Sequence, residues 1–370
     1  MNSPPPPPDD SARGSPARSR KDDHLDLCAE GDVAFRRKTT LLEEVELVHD
    51  ALPERALGDV ALGVTLLGRP LRAPLVVAAM TGGVERAERI NRDLATVAEA
   101  AGVAFALGSQ RALLERGRCE GYFVRDVAPT TLLLGNLGLA QARDASTARL
   151  SALVRDTGVD ALCVHLNAAM EAVQQGGDRD LRGGLDTLRR LVGELGVPIV
   201  VKETGCGISR GVGERLAAVG VRTVDVGGAG GTSWVGVETR RATGAAASLG
   251  ERFWDWGIPT AGSLAQLSGL PLELVATGGV RDGLDVARAL ALGATAAGIA
   301  RPVLQAWTEG GREGAAGFVA RIVEELRLAC WLTGSASSER LRHAPIVVGP
   351  ALRRWVPVGT PLAARLAATL

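Results

Sequence analysis

Lysine stands at only three positions, 21, 38 and 202, in a chain that carries 42 lysines and arginines together. Lys202 is the informative one, because it ends the apolar run Ile199-Val200-Val201. A lysine kept there in so arginine-rich a chain points to a need for a compact ammonium rather than a planar guanidinium. Three chemistries use such a group: a Schiff-base nucleophile, a structural ion pair, or a cation beside N1 and O2 of a reduced flavin. Taken alone, the residue leaves all three open. Asparagine is also scarce, at 2, 91, 136 and 167, and the same logic marks Asn91, Asn136 and Asn167.

Glycine supplies the second signal. Gly227-Gly228-Ala229-Gly230-Gly231-Thr232, Gly278-Gly279-Val280-Arg281 and Ala300-Arg301 follow three successive apolar runs. Glycine-rich turns and helix N-termini expose backbone N–H groups that hold phosphate, whereas one glycine pair alone would mark no more than a tight turn. With a phosphate cradle in this part of the chain, and Ser109 and Asn136 ending earlier runs, flavin mononucleotide (FMN) becomes the leading reading for Lys202.

The elements that position these residues are eight short, β-branched apolar runs at 73–80, 103–108, 131–136, 161–166, 198–202, 221–226, 272–277 and 294–300. Helical periodicity falls between them at 85–101, 145–156, 180–195, 213–218, 283–292 and 315–328. Continuous apolar strands alternating with helices predict a parallel sheet buried on both faces, and eight of them predict a (β/α)8 TIM barrel. Function in that fold collects after the carboxyl ends of the strands, where the scarce residues lie. Residues 71–335 form the predicted barrel. Before it come a Pro-rich stretch at 1–19, expected to be disordered, and an N-terminal arm at 20–70. A long loop after the sixth strand, 227–270, is expected to act as a lid or substrate wall, and 336–370 form a C-terminal extension.

Composition excludes several classes. Lys+Arg and Asp+Glu both number 42, so no global field recruits nucleic acid or anionic lipid. The five cysteines form no CxxC pair or zinc-spaced cluster, which fits a reducing cytoplasm. Neither a secretory h-region nor a membrane-length apolar run occurs.

Several motifs together resemble the type 2 isopentenyl-diphosphate isomerases. They are Arg20-Lys21-Asp22-Asp23-His24-Leu25, Ala79-Met80-Thr81-Gly82-Gly83, Gly108-Ser109-Gln110-Arg111, His165-Leu166-Asn167, Lys202-Glu203, Gly230-Gly231-Thr232-Ser233-Trp234 and Trp256-Gly257-Ile258-Pro259-Thr260. The resemblance runs from about residue 20 to beyond 330. It implies FMN contacts at Ala79, Met80, Thr81, Ser109, Asn136, Lys202, Thr232, Gly279, Val280, Arg281, Ala300 and Arg301, to which the glycine reading adds Gly227. It places Arg20, Lys21, His24, Ser109, Gln110, Arg111, His165, Asn167 and position 170 around a small-molecule diphosphate, with Lys202, His165 and Asn167 as the catalytic set. Glu171 is the implied Mg2+ ligand, since one carboxylate with phosphate and water oxygens is how magnesium is commonly held. NADPH as flavin reductant and a homo-oligomer, tetramer or octamer, complete the expectation.

One residue departs from the pattern. The family follows His-Leu-Asn with a Gln-Glu pair two residues on, and this chain reads Ala168-Ala169-Met170-Glu171. A glutamine amide there could orient the substrate or relay a proton, and a thioether does neither well. Two rival readings stand beside the isomerase: an FMN-dependent oxidoreductase on the same barrel, such as a 2-hydroxy-acid oxidase, and, because of Met170, a non-catalytic flavin-binding homologue.

Overall fold

The computed structural model describes residues 20–29, 31–83, 85–117 and 120–368. The expectation for 1–19, and Cys119, lie outside the described residues. Eight parallel strands close into a barrel: Leu75–Val77, Ala104–Ala106, Leu133–Gly138, Ala161–His165, Ile199–Lys202, Thr223–Asp225, Glu273–Ala276 and Ala296–Ile299. Each lies within or across a run read from the sequence, and Ala297 opposite Leu75 closes the ring. Most strands are shorter than the apolar runs, and four of them carry a polar residue into the ladder at or near their carboxyl ends: Asn136, His165, Lys202 and Asp225.

Local chemistry sets the helix limits. Ser146 and Asp282 accept from the backbone N–H groups of Arg149 and Asp285, capping Thr147–Thr157 and Gly283–Ala291, and Gly158 in the left-handed region ends the first of these. The run at 315–328 is the second part of a longer helix, Arg301–Leu332, broken at Gly311 (φ 59, ψ −149). The segment 227–270, expected as a long loop, instead holds three helices, Trp234–Arg241, Gly244–Phe253 and Thr260–Leu267. Glycine and tryptophan obscure their period in sequence, while a Ser233 cap and a buried Trp254 fix them in space.

The arm at 20–70 divides between the two ends of the barrel. Residues 31–40 run over the C-terminal mouth, where Phe35 N–H donates to Gly231 and Ser233 N–H to Val33. Val45–Leu47 pairs antiparallel with Ile346–Val348, joining the arm to the C-terminal extension. A hairpin, Val64–Leu66 with Arg69–Leu71, turns at Leu67 and Gly68, both at positive φ, and stoppers the opposite mouth. Its Leu66 packs into the barrel interior with Val76, Ala104, Leu132 and Ala161. Among the described residues no helix is long and apolar enough to cross a membrane.

Candidate active site

The polar cluster lies where the third to sixth strands end. Lys202 is opposite His165 in the ladder and shares its strand pairing with Asp225 on the other side. Its ammonium donates to the Glu203 carbonyl at 2.8 Å and stands 3.7 Å from the Asp225 carboxylate. Both partners only accept, which suits the three donors of an ammonium better than a free amine nucleophile. Asp225 was not singled out in the sequence, although a lone carboxylate in Val224-Asp225-Val226 is its signal. Beneath Lys202 the barrel is filled: the remaining cavity is about 20 Å³, lined by Leu66, Cys163, Val200 and Thr223 among others. A cofactor therefore has to sit above the lysine, at the C-terminal mouth.

His165 points its Nδ1 at Asn136 Oδ1, 2.9 Å away. Amide oxygen only accepts, so Nδ1 carries the proton and Nε2 is left as an acceptor. Burial, reinforced by the Lys202 charge, pushes the His165 pKa down to about 3. The ring is neutral throughout the physiological range, and it is a weak base for removing a proton from carbon. Asn167 adopts the left-handed region (φ 55) at the start of the helix Ala168–Val173. Its Oδ1 accepts from Thr204 Oγ1 at 2.7 Å and its Nδ2 donates to Met170 Sδ at 3.1 Å.

The sixth to eighth strand ends meet as a glycine surface. Gly278 and Gly279 both have positive φ (98° and 75°). A Cβ on Gly231 would come 2.4 Å from the Gly279 nitrogen, and one on Gly278 would come 2.1 Å from the Gly228 oxygen. Side chains here would fill the cradle, so the backbones approach directly. Gly227 (φ 45) makes a similar approach to Glu203. The helix Arg301–Leu332 starts next to this surface at Ala300 with no side-chain cap, and Arg301 Nε is buried without a hydrogen-bond partner. Half-buried glycines, an uncapped helix start and an orphaned guanidinium nitrogen fit an anion, and the set fits the FMN phosphate. Arg281 does not join it. Its N–H and guanidinium both go to Asp285, the latter at 2.9 Å, which raises its pKa and leaves Gly279 and Val280 as that loop's backbone donors.

Near the first two strands, Ala79, Met80 and Thr81 line the mouth, and Asn91 braces them by donating to the carbonyls of Thr81 and Gly121. The scarce Asn91 is thus a structural brace. Fully buried Tyr122, which the sequence reading missed, donates its hydroxyl to the Ser109 carbonyl. Gln110 is fully buried: its Oε1 accepts the Asn136 N–H at 3.0 Å, and its Nε2 has no hydrogen-bond partner. Arg111 begins the helix Arg111–Arg116 and pairs with Glu115 at 2.6 Å. Glu171 Oε2 accepts the Asp178 N–H at 2.8 Å, and no group of three or more metal-ligating side chains forms among the described residues. Glu171 thus offers a single carboxylate, and a metal held by it would need its other ligands from substrate and water.

The helix Arg20–Ala29 lies against the mouth, with the side chains of Arg20 and Lys21 outside the described residues. His24, expected on the diphosphate, instead meets Glu238 at 2.7 Å and stacks edge-on to Trp234. Arg241 bridges Glu238 and Asp23 at 2.9 and 3.1 Å, and Asp26 pairs with Arg86 at 2.7 Å. Burial alone would raise the Glu238 carboxyl, but His24 and Arg241 outweigh it and hold it below its ordinary value. The contacts of His24 and Asp23 join the N-terminal helix to the helix after the sixth strand, and Asp26–Arg86 joins it to the helix Glu85–Ala101 after the first.

A family model described as FMN-dependent dehydrogenase matches residues 136–347. Isopentenyl-diphosphate delta-isomerase of Methanosarcina barkeri is 43% identical over 340 residues, 90% of this chain and 93% of that protein. The same-named proteins of Xanthobacter autotrophicus and Cronobacter sakazakii are 43% and 45% identical, over 90% and 88% of this chain and 98% and 95% of their own lengths. A mandelate oxidase variant carrying an FMN adduct superposes with a TM-score of 0.62 at 21% identity, covering 88% of this chain and 95% of its own, which shows the shared barrel alone. With the glycine cradle, Lys202 and these relatives in agreement, the chain belongs to the type 2, FMN-dependent isopentenyl-diphosphate delta-isomerases.

Proposed function

We propose that the protein interconverts isopentenyl and dimethylallyl diphosphate by moving a proton on to the terminal alkene carbon and another off the neighbouring methylene, with no net redox change. The observation that carries this reading is the cluster of Lys202, neutral His165 and Asn167 above a filled barrel floor, beside a glycine cradle fit for FMN. Reduced FMN, bound there, supplies an electron-rich ring face and groups that take up and release protons. The chain's residues do the rest. Lys202 would supply the positive charge that balances the negative charge of a reduced flavin held beside it. Asn136 holds His165 in its Nδ1–H form, so the imidazole presents an uncharged acceptor rather than a cation that would repel a cationic transition state.

Asn167 offers a fixed amide, and Met170 an apolar, polarisable wall. Arg20, Lys21, Ser109 and Arg111 would gather the diphosphate, with Glu171 holding Mg2+ on it. His24 serves this grip indirectly, by anchoring its helix to Glu238. The ion-paired helix and the 31–40 strap exclude water from the reacting carbons. NADPH is needed to reduce the flavin and takes no part in the double-bond shift. The four described cysteines are all free, which suits a reducing cytoplasm, and the homo-oligomer, tetramer or octamer, is carried over from the family resemblance.

The test is anaerobic incubation with FMN, NADPH, Mg2+ and isopentenyl diphosphate, followed by NMR. Dimethylallyl diphosphate forms when the flavin is reduced and not when it is oxidised. Flavin bleaching by a 2-hydroxy acid, with no diphosphate product, would instead establish the oxidase reading. That rival needs a competent histidine base, and His165 at about 3 is a poor one.

A further inference from the structure

We infer that Thr204 is a positioning residue of this active site: its hydroxyl holds the Asn167 amide in place at the reacting centre, in the one orientation that the Met170 sulfur admits. The inference deepens the isomerase reading and rests on it for its kinetic consequence, while its geometry stands independently.

An asparagine amide can present either its oxygen or its nitrogen in a given direction, and its neighbours decide which. Here Asn167 is buried, and both ends of its amide have a protein partner. Thr204 Oγ1 lies 2.7 Å from Oδ1, and Met170 Sδ lies 3.1 Å from Nδ2. A hydroxyl would tolerate either end, since it both donates and accepts. A thioether accepts and never donates, so a flipped amide would set oxygen lone pairs against sulfur lone pairs. The two partners together therefore admit one orientation.

Thr204 is itself fixed. Its own N–H and those of Gly205 and Cys206 converge on Glu203 Oε2 at 2.6, 2.9 and 2.6 Å. That carboxylate belongs to the residue after Lys202, whose ammonium donates to the Glu203 carbonyl. A continuous set of contacts thus runs from Lys202 through the Glu203 loop and the Thr204 hydroxyl to Asn167, and ends on the sulfur of Met170. The last residue is the one that departs from the family pattern. With no amide at 170, the direction of the Asn167 N–H groups falls to Thr204 and the sulfur to set.

The experiment pairs kinetics with a readout that needs no turnover. Three methionines in the chain make the 13C-labelled methionine methyl spectrum simple to assign, with Met170→Leu identifying the signal of interest. Thr204→Val removes the hydroxyl and keeps the volume. It is expected to move the Met170 methyl resonance and to lower kcat about tenfold with KM little changed, the scale of one buried hydrogen bond. Thr204→Ser should return both to the native values. In a double-mutant cycle with Met170→Gln, the loss from Thr204→Val should be markedly smaller, because a glutamine can partner either end of the amide.

An unmoved Met170 resonance in Thr204→Val overturns the proposal. So does a Thr204→Ser protein that behaves like Thr204→Val, or strict additivity with Met170→Gln. If the native protein binds FMN but turns over no isopentenyl diphosphate, the functional reading fails while the methyl spectra still decide the positioning role.

Discussion

At its N-terminal mouth the barrel is closed by carbon, whereas at its C-terminal mouth it is closed by charge. The hairpin Val64–Leu66 and Arg69–Leu71 drives Leu66 between Val76, Ala104 and Leu132, with its turn tied to Glu273 by the Leu67 N–H. The opposite mouth carries Lys202, Asp225, His165 and Asn167, and is spanned by a helix held through His24, Glu238, Arg241, Asp23, Asp26 and Arg86. Apolar closure is non-directional and stable, and it leaves no route for a ligand. Ion-paired closure is directional, and at its partly exposed pairs, Asp23 with Arg241 and Asp26 with Arg86, it is weaker and reversible, which suits an end where substrate must enter and product must leave.

The sharpest way to break this comparison is at Lys202. Lys202→Met removes the cation from the chemical end and should lower kcat about 10³-fold, the scale of one preorganised electrostatic contact at a reacting centre. The buried Asp225 carboxylate loses its cation, so the thermal midpoint should fall as well, and the flavin absorption spectrum of the reduced enzyme should shift toward its neutral form. Leu66→Ala attacks the other end. A fully buried leucine cut to alanine should cost about 3 kcal/mol of stability, seen as a lower denaturant midpoint, with kcat of the folded enzyme near native.

A pH experiment tests whether the histidine of the chemical end is neutral as folded. His165 sits at about 3 when folded and near 6.5 when unfolded, so between those values the unfolded chain takes up a proton that the native site refuses. Its contribution is full above about pH 6.5 and is lost as pH falls toward 3; at pH 5 the loss is about 2 kcal/mol. His165→Gln should flatten the stability profile across that window in urea melts, and an unchanged profile would mean the ring is charged when folded. The smallest effect is expected at the ion-paired helix. Glu238→Gln weakens its hold on His24 and Arg241, lowers the population of the closed mouth, and should raise KM for isopentenyl diphosphate by about three- to tenfold with a smaller change in kcat.

Much of this molecule was readable before any fold was drawn. Eight apolar runs gave the eight strands because a parallel barrel buries both faces and tolerates few polar residues along them. The glycine cradle was readable for a related reason, since backbone approach leaves glycine as the one residue that fits. The three helices within 227–270 were hidden by glycine and tryptophan, and their stability comes from contacts such as Ser233 Oγ with the Trp254 carbonyl rather than from periodicity. The hairpin stopper is not distinguishable in sequence from the rest of the arm, because three-residue strands carry too short a pattern to declare where they pack.

Sequence alone determined the residue chemistry: a solitary lysine at a strand end, asparagines where the barrel opens, and a methionine in place of an amide. Tertiary structure decided what those residues do. It buried Gln110, gave His24 to Glu238, and took Arg281 to Asp285. It also made His165 neutral and set the Asn167 amide through Thr204, a partner 37 residues away. Protonation state and amide orientation depend on burial and on partners brought together by barrel closure, and neither is a property of a residue's place in the chain.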